Sequence, residues 1–178
     1  MGQVTDSSQV KKATTGVGVN AAPCHVAHVD TPIGRIVLIE RDGRLAQLLW
    51  DRDAAAIAAT EGTPLLHEAA RQLAAYFDAT LTVFDLPLAL SKSPFERTVQ
   101  EAMLAIPHGE TRTYGDIARD LDTYGQPVGR ACGANTIPII VPCHRVLSAT
   151  GLGGYSGEGG VDMKIRLLKH EGSYPFLL

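Results

Sequence analysis

Pro138-Ile139-Ile140-Val141-Pro142-Cys143-His144-Arg145-Val146 is the stretch from which the rest of the chain is read. An apolar run ends in a proline, and a cysteine and a histidine follow side by side. Proline removes a backbone donor and fixes its own φ, so Pro142 should stop the run, read as a buried strand, and turn the chain. Cys143 would then stand at the mouth of something buried. A thiol in that position is a nucleophile if a base or a positive dipole lowers its pKa. Without either it is an inert core cysteine, a common fate for this residue type. Neighbours in an extended chain point to opposite sides, so a Cys143–His144 relay needs a sharp bend or a bridging water.

Downstream, Ser148 to Gly160 is a glycine-rich loop whose freed backbone amides can approach a ligand. Leu152, Tyr155 and Ser156 are not linker residues, and the GxxxxGK[ST] spacing of a phosphate loop is absent. Val161 to His170 reads as a last helix with Val161, Ile165 and Leu168 buried, closed by Glu171 and by Gly172 as the C′ residue. Glu171 supplies a carboxylate that would fix the histidine tautomer, completing a Cys143–His144–Glu171 set. A thiol hydrolase could use the same three groups.

Upstream, Ser93, Pro94 and Glu96 have the spacing of a capping box, opening a helix through Phe95, Val99, Met103 and Ile106. Thr113 is a second N-cap, with Asp116 at N3. A turn near residues 122–125 leads to a helix over Gln126 to Ala134, where Pro127 is tolerable only in the first turn. Gly129 and Gly133 lie four apart and leave one helix face as bare backbone, open to close approach by another helix or a DNA strand. The two short helices form a helix-turn-helix candidate with Arg130 as the obvious cation of the second. Helical hairpins that only pack a core share this pattern.

The first half has a different texture. Residues 1–22 are polar and small, without periodicity, and read as a disordered or loosely attached arm. Cys24, His25 and His28 invite a metal reading, but no fourth ligand follows at zinc-finger spacing, and the segment reads as a strand. Arg35–Glu40 and Leu45–Trp50 flank Asp42-Gly43, a hairpin signal. Leu65 to Asp78 is amphipathic, with Leu66, Ala69, Ala70, Leu73 and Phe77 at helical steps. A Leu-Pro-rich connector ends near residue 91. The predicted organisation is an arm (1–22), a small α/β domain of antiparallel sheet and helix (23–91) and a helical domain (92–178).

Composition sets limits. The 178 residues are 45% hydrophobic, enough for a core without staples, and three cysteines with no dense spacing argue for a reducing compartment. No apolar run approaches a membrane span, and the N-terminus has no secretory signal pattern, so a soluble, cytoplasmic protein is expected. The net charge of −3 means that any DNA binding must come from a local patch and from shape.

The motifs together resemble the O6-alkylguanine-DNA alkyltransferases. Pro142-Cys143-His144-Arg145-Val146, preceded by Asn135, is similar to their active-site signature. So are Gly154-Tyr155-Ser156-Gly157, Leu167 to Gly172, Ile106 to Thr111 and Thr113 to Ala118. The likeness is close over 93–178 and loose over 26–90. It implies a ribonuclease H-like N-terminal domain, a winged helix-turn-helix in the all-α C-terminal domain, and a monomer that needs no cofactor and no metal. Its partner would be duplex DNA carrying O6-alkylguanine, with O4-alkylthymine a further substrate. Cys143 would take the alkyl group once and irreversibly, with His144 as base through water and Glu171 as its orienter. Tyr114 would serve the leaving base, and Asn135 would tie the turn before Cys143 to the helix pair. Backbone groups of Cys143 and Val146 would hold the guanine edge, Ser156 would contact O6, Tyr155 would line the pocket, and Arg145 would join the substrate contacts. Thr113, Gly129, Arg130, Ala131 and Gly133 would meet DNA. The family usually places an arginine nine residues before the asparagine, to fill the gap of a flipped base. Here that position is Gln126, which has neither charge nor planar cation. A lesion-binding relative without efficient transfer is the alternative, and it would lack the reactive cysteine.

Overall fold

The computed structural model describes residues 24–50 and 57–174, so the predicted N-terminal arm lies outside the described residues. Three antiparallel strands come first: β1 (Cys24–Thr31), β2 (Gly34–Arg41) and β3 (Arg44–Trp50), in the order β1-β2-β3. The Asp42-Gly43 hairpin forms as expected, with Arg41 paired to Arg44 and both turn residues at positive φ, 52° and 68°. Alternation along β2 buries both faces. Ile36 and Leu38 join the main core, whereas Val37 and Ile39 pack with Val26 on the other side.

Helix α1 (Pro64–Phe77) crosses the sheet. Thr63 caps it, accepting from the Leu66 amide at 3.1 Å while its hydroxyl donates to the Glu40 carboxylate. The buried stripe includes Leu66, Ala69 and Leu73, as the periodicity predicts, but ends in Tyr76 rather than Phe77. The connector after α1 runs beside β3, with Leu45 donating to the Pro87 carbonyl at 2.8 Å and Ala89 donating to the Leu45 carbonyl at 2.9 Å.

Helix α2 (Pro94–Leu104) opens the second half. The capping box expected at Ser93 and Glu96 does not form. Ser93 makes no side-chain cap, and the Ser91 hydroxyl takes its place, donating to Glu96 at 2.5 Å and accepting from the Ser93 amide at 3.2 Å. The capping box at Thr113 and Asp116 does form and starts α3 (Tyr114–Asp120). A turn with Asp122 at φ 49° leads into α4 (Gly125–Gly133), which places Pro127 in the first turn. Two-residue strands β4 (Arg112–Thr113) and β5 (Val146–Leu147) add a short parallel ladder to the helical half. Helix α5 (Gly160–His170) ends in a Schellman arrangement: Ser173 donates to the Leu168 carbonyl at 2.9 Å and Gly172 to the Lys169 carbonyl at 3.1 Å. Glu171 is thereby fixed as the C-cap.

One core runs through both halves, from Ile36 and Leu38 past Leu73 and Tyr76 to Met103, Ile117, Val141 and Leu167. The fold is a small antiparallel sheet with a helix, followed by a helical half with a helix-turn-helix. Among the described residues no helix is long and apolar enough to cross a membrane.

Candidate active site

The apolar run before Cys143 is not a strand. Residues 137–142 form a compact buried turn, closed by a Val141 to Ile137 backbone bond of 2.9 Å. Ile139 sits inside it at φ 73°, a left-handed conformation that costs a β-branched residue about 1–3 kcal/mol. Pro142 (φ −84°, ψ 66°) is the centre of an inverse γ-turn, with the Cys143 amide donating to the Val141 carbonyl at 2.9 Å. Cys143 to Arg145 then make one turn of 3₁₀ helix. This is the sharp bend that an extended reading lacked. Asn135 braces the turn: its Oδ1 accepts from the Ile137 amide at 3.2 Å, its Nδ2 donates to the Val141 carbonyl at 2.8 Å, and its side chain reaches the Cys143 thiol. The sheet holds the same loop, since Leu48 donates to the Thr136 carbonyl at 2.9 Å.

Behind the thiol lies a buried ionic network. His144 Nε2 donates to Glu171 Oε1 at 2.8 Å, which leaves Nδ1 as the unprotonated nitrogen, without a protein partner among the described residues. Arg145 grips the same carboxylate through Nε to Oε2 (2.8 Å) and Nη2 to Oε1 (2.9 Å), and its Nη1 donates to the Ile106 carbonyl at 2.6 Å. Tyr76 adds its hydroxyl to Glu171 Oε1 at 2.7 Å.

In front of the thiol is a cavity of about 240 Å³. Cys143, Cys132, Gly129, Gly133, Tyr114, Gly154, Tyr155 and Ser156 line it. Gly153 allows this shape: its φ is 69°, and a Cβ there would lie 2.9 Å from the Tyr114 ring. Lys164, buried on α5, fastens the loop by donating to the carbonyls of Val146 (2.6 Å), Leu152 (2.6 Å) and Gly154 (3.0 Å).

Against this geometry the comparisons with known proteins are specific. The pattern of a 6-O-methylguanine DNA methyltransferase ribonuclease-like domain matches residues 25–90, and that of the DNA binding domain matches residues 94–173. The chain belongs to the 6-O-methylguanine DNA methyltransferase family. It is 44% identical over 149 residues to a methylated-DNA–protein-cysteine methyltransferase of Mycolicibacterium paratuberculosis, covering 80% of this chain and 89% of that one. A relative of the same description from Methanosarcina acetivorans is 40% identical over 156 residues, covering 84% and 99%. The crystal structure of Mycobacterium tuberculosis OGT in complex with DNA matches with a TM-score of 0.74 at 40% identity, covering 84% of this chain and 94% of that one.

For a 6-O-methylguanine DNA methyltransferase, the protonation of the thiol decides how the site works. Burial pushes the Cys143 thiol up, only partly offset by the Asn135 hydrogen bond and the Lys164 charge, so at neutral pH it rests protonated and needs a base. Burial pushes His144 down, against the pull of Glu171, and keeps its imidazole neutral and able to accept a proton. Burial alone would raise Glu171, but hydrogen bonds from His144 and Arg145 prevail and hold its carboxyl well below the usual range. Tyr114 is pushed up to about 12, first by burial and then by the two cysteines, so it stays a neutral donor. Burial also lowers Lys164 to about 8.

Two expectations change in this methyltransferase. Arg145, expected among the substrate contacts, is turned away from the thiol's cavity. It lines a separate hollow with Ile106 and Pro142, because its guanidinium is needed to neutralise Glu171. Ala131, expected to meet DNA, is buried: two residues beyond Gly129, the helical period carries it to the opposite face. The Val146 carbonyl accepts from Lys164 and keeps a second lone pair for the expected backbone contact with the guanine edge. Gln126, Arg130 and Gly133 are exposed and Gly129 half-buried; Gly129 and Gly133 line the cavity, whereas Arg130 borders a separate hollow with Ser93 and Phe95, and the Thr113 hydroxyl is used in its cap. Sequence reading missed Cys132, although its helical spacing from Gly129 points to the cavity. It also missed Lys164, for which no pattern speaks, and Tyr76.

Proposed function

We propose that this chain repairs DNA by moving the alkyl group of O6-alkylguanine to Cys143, once per molecule. The observation that carries this reading is the Cys143 thiol lining a cavity of about 240 Å³, backed by a buried histidine whose Nε2 is committed to Glu171. The thiol proton passes through water to His144 Nδ1. The sulfur attacks the alkyl carbon, an S–C bond forms, and the C–O6 bond breaks. The purine takes the electron pair and is neutralised by a proton from Tyr114, which His144 in turn replaces. The protein ends as a thioether with no leaving group, which makes the reaction stoichiometric.

The alkylated nucleotide must leave the duplex to reach Cys143, at a cost of a few kcal/mol, less for a damaged pair. The small residues Gly129 and Gly133 give the backbone close access to the strand beside the cavity. With a net charge of −3, affinity for DNA rests on few phosphate contacts and weakens with salt at a modest slope.

Mass spectrometry after incubation with a duplex containing O6-methylguanine tests the reading. The expected result is one methyl group on the Cys143 peptide and no turnover. Methanol formed catalytically would indicate a hydrolase, and unmodified protein that only retards the duplex in a gel would indicate a lesion binder. Either result rejects alkyl transfer.

A further inference from the structure

We propose that Tyr76, on helix α1 of the N-terminal half, is a positioning residue for Cys143 chemistry: its hydroxyl fixes the Glu171 carboxylate that orients His144, and so sets the pH range in which the thiol reacts. The statement rests on the His144 base assignment above, but not on the identity of the alkyl donor.

Glu171 Oε1 is shared. It accepts from Tyr76 at 2.7 Å, from His144 at 2.8 Å and from Arg145 Nη2 at 2.9 Å. Oε2 is held by Arg145 Nε at 2.8 Å. A carboxylate offers about four acceptor positions, two on each oxygen, and three of the four bonds made here crowd onto Oε1. The donors differ in kind. Arg145 is always charged, whereas Tyr76 is a neutral donor whose own ionisation is suppressed by burial and by Glu171. Its hydroxyl withdraws electron density from the oxygen that polarises the His144 N–H. Without it, Glu171 pulls harder on that proton and the imidazole becomes more basic.

Tyr76 is also held too firmly for a chance contact. Its ring is fully buried and packs on Phe77 (5.1 Å between centroids), Phe84 (5.4 Å) and His170 (4.9 Å), with His108 at 6.1 Å. His170 Nε2 lies 2.8 Å from the Tyr76 carbonyl. The titratable and charged groups around the network are therefore Glu171, Arg145, His108 and His170 beside Tyr76. Lys164, Cys132, Tyr114 and Tyr155 stand on the thiol side. Tyr76 is 95 residues from Glu171 in sequence, so the N-terminal half reaches into the reactive centre through it.

The deciding experiment follows the alkylation of Cys143 by iodoacetamide against pH, read as adduct on the Cys143 peptide. In the full chain carrying Tyr76→Phe, the ring packing remains and the hydroxyl is lost. The acidic limb of the profile should move up by about half a unit to one unit, the size expected of one neutral hydrogen bond. Phe84→Leu, which loosens the same cluster but keeps the hydroxyl, should leave the limb in place. Site-specific 3-fluorotyrosine at position 76, a stronger donor on the same ring, should move the limb down. A Tyr76→Phe profile that superimposes on the parent, or an equal shift in Phe84→Leu, overturns the proposal and reduces Tyr76 to packing. If Tyr76→Phe does not fold, the fluorotyrosine protein decides alone, an unmoved limb counting against the proposal. Methyl uptake by the parent from O6-methylguanine DNA is measured alongside. Its absence would sink the alkyl-transfer reading while the iodoacetamide profile still decides Tyr76.

Discussion

The inner network and the outer face of α4 are built on opposite terms. Around Glu171 four hydrogen bonds converge on one carboxylate, the side chains are buried, and the donors come from two other parts of the chain, α1 and the Cys143 turn. Across α4, Gln126, Arg130 and Gly133 are exposed and two glycines take the place of side chains. On the proposed reading, the reactive centre is set before any substrate arrives and the α4 face is where DNA is met. Preorganised donors cost no reorganisation at the moment of reaction, so changes inside should cost rate and changes outside should cost binding.

The sharpest break of that division is Cys143→Ala. Methyl uptake should vanish completely, while retardation of an O6-methylguanine duplex in a gel stays within a few-fold of the parent. Loss of both together would mean that the thiol also holds the outer surface in shape. Glu171→Gln comes next. The rate of uptake should fall by about 100-fold or more, because the His144 tautomer and its basicity are no longer set. The same variant should lose about 3 kcal/mol of stability at neutral pH, since the Arg145 charge stays buried without its partner. The pH dependence carries its own sign. Glu171 has a folded-state pKa below its ordinary 4.5, so its contribution is fully present above that value and is lost as pH falls below it. Urea titrations of the parent should show this acid loss and those of Glu171→Gln should lack it.

Inside the network, residue identity was legible from sequence and conformation was not. Cys143, His144 and Glu171 stand out because a thiol, an imidazole and a carboxylate frame the apolar run and the last helix. The run itself is a turn and not the predicted strand. Apolar residues between two prolines fit a buried strand and a buried turn equally well, and a positive φ at Ile139 runs against every preference of a β-branched side chain. Helix α5 taught a similar lesson. Its predicted stripe of Val161, Ile165 and Leu168 is rotated in the structure to Met163, Lys164, Leu167 and Leu168, with Val161 exposed. A lysine normally marks the solvent side of a helix. Lys164 instead spends its charge on three carbonyls of a loop that periodicity cannot place. Tyr76 was passed over for Phe77 one position away, a choice that hydrophobicity favours and a buried carboxylate reverses. The Asp42-Gly43 hairpin and the Thr113 cap were legible in full, because their signals are local.

Tyr114 sits on the boundary between the two regions, its ring against Gly129 of α4 and its hydroxyl near Gly153. Tyr114→Phe should slow methyl uptake by roughly 10-fold to 100-fold on duplex DNA and on free O6-methylguanine alike, since it removes a donor to the leaving base rather than a DNA contact. A defect confined to duplex DNA would move Tyr114 to the outer side of the comparison.

The smallest expected effect tests the outer face itself. Gln126 is exposed at the start of α4, one turn before Gly129 and Arg130, where the family usually carries an arginine. Glutamine can fill the space of an extruded base and hydrogen-bond to the orphaned partner. It brings no charge to the phosphates and no planar cation to stack on the neighbouring bases. Gln126→Arg should therefore speed uptake from duplex DNA by a few-fold and steepen the salt dependence of binding by about one phosphate contact. Uptake from free O6-methylguanine should be unchanged, because that substrate enters the cavity without displacing anything. The three readouts belong together. Faster duplex repair with an unchanged salt slope would assign the gain to stacking, and a steeper slope without faster repair would assign it to affinity alone. Equal rates on duplex for both proteins would show that base extrusion is limited elsewhere, with Gly129 and Gly133 the next place to look.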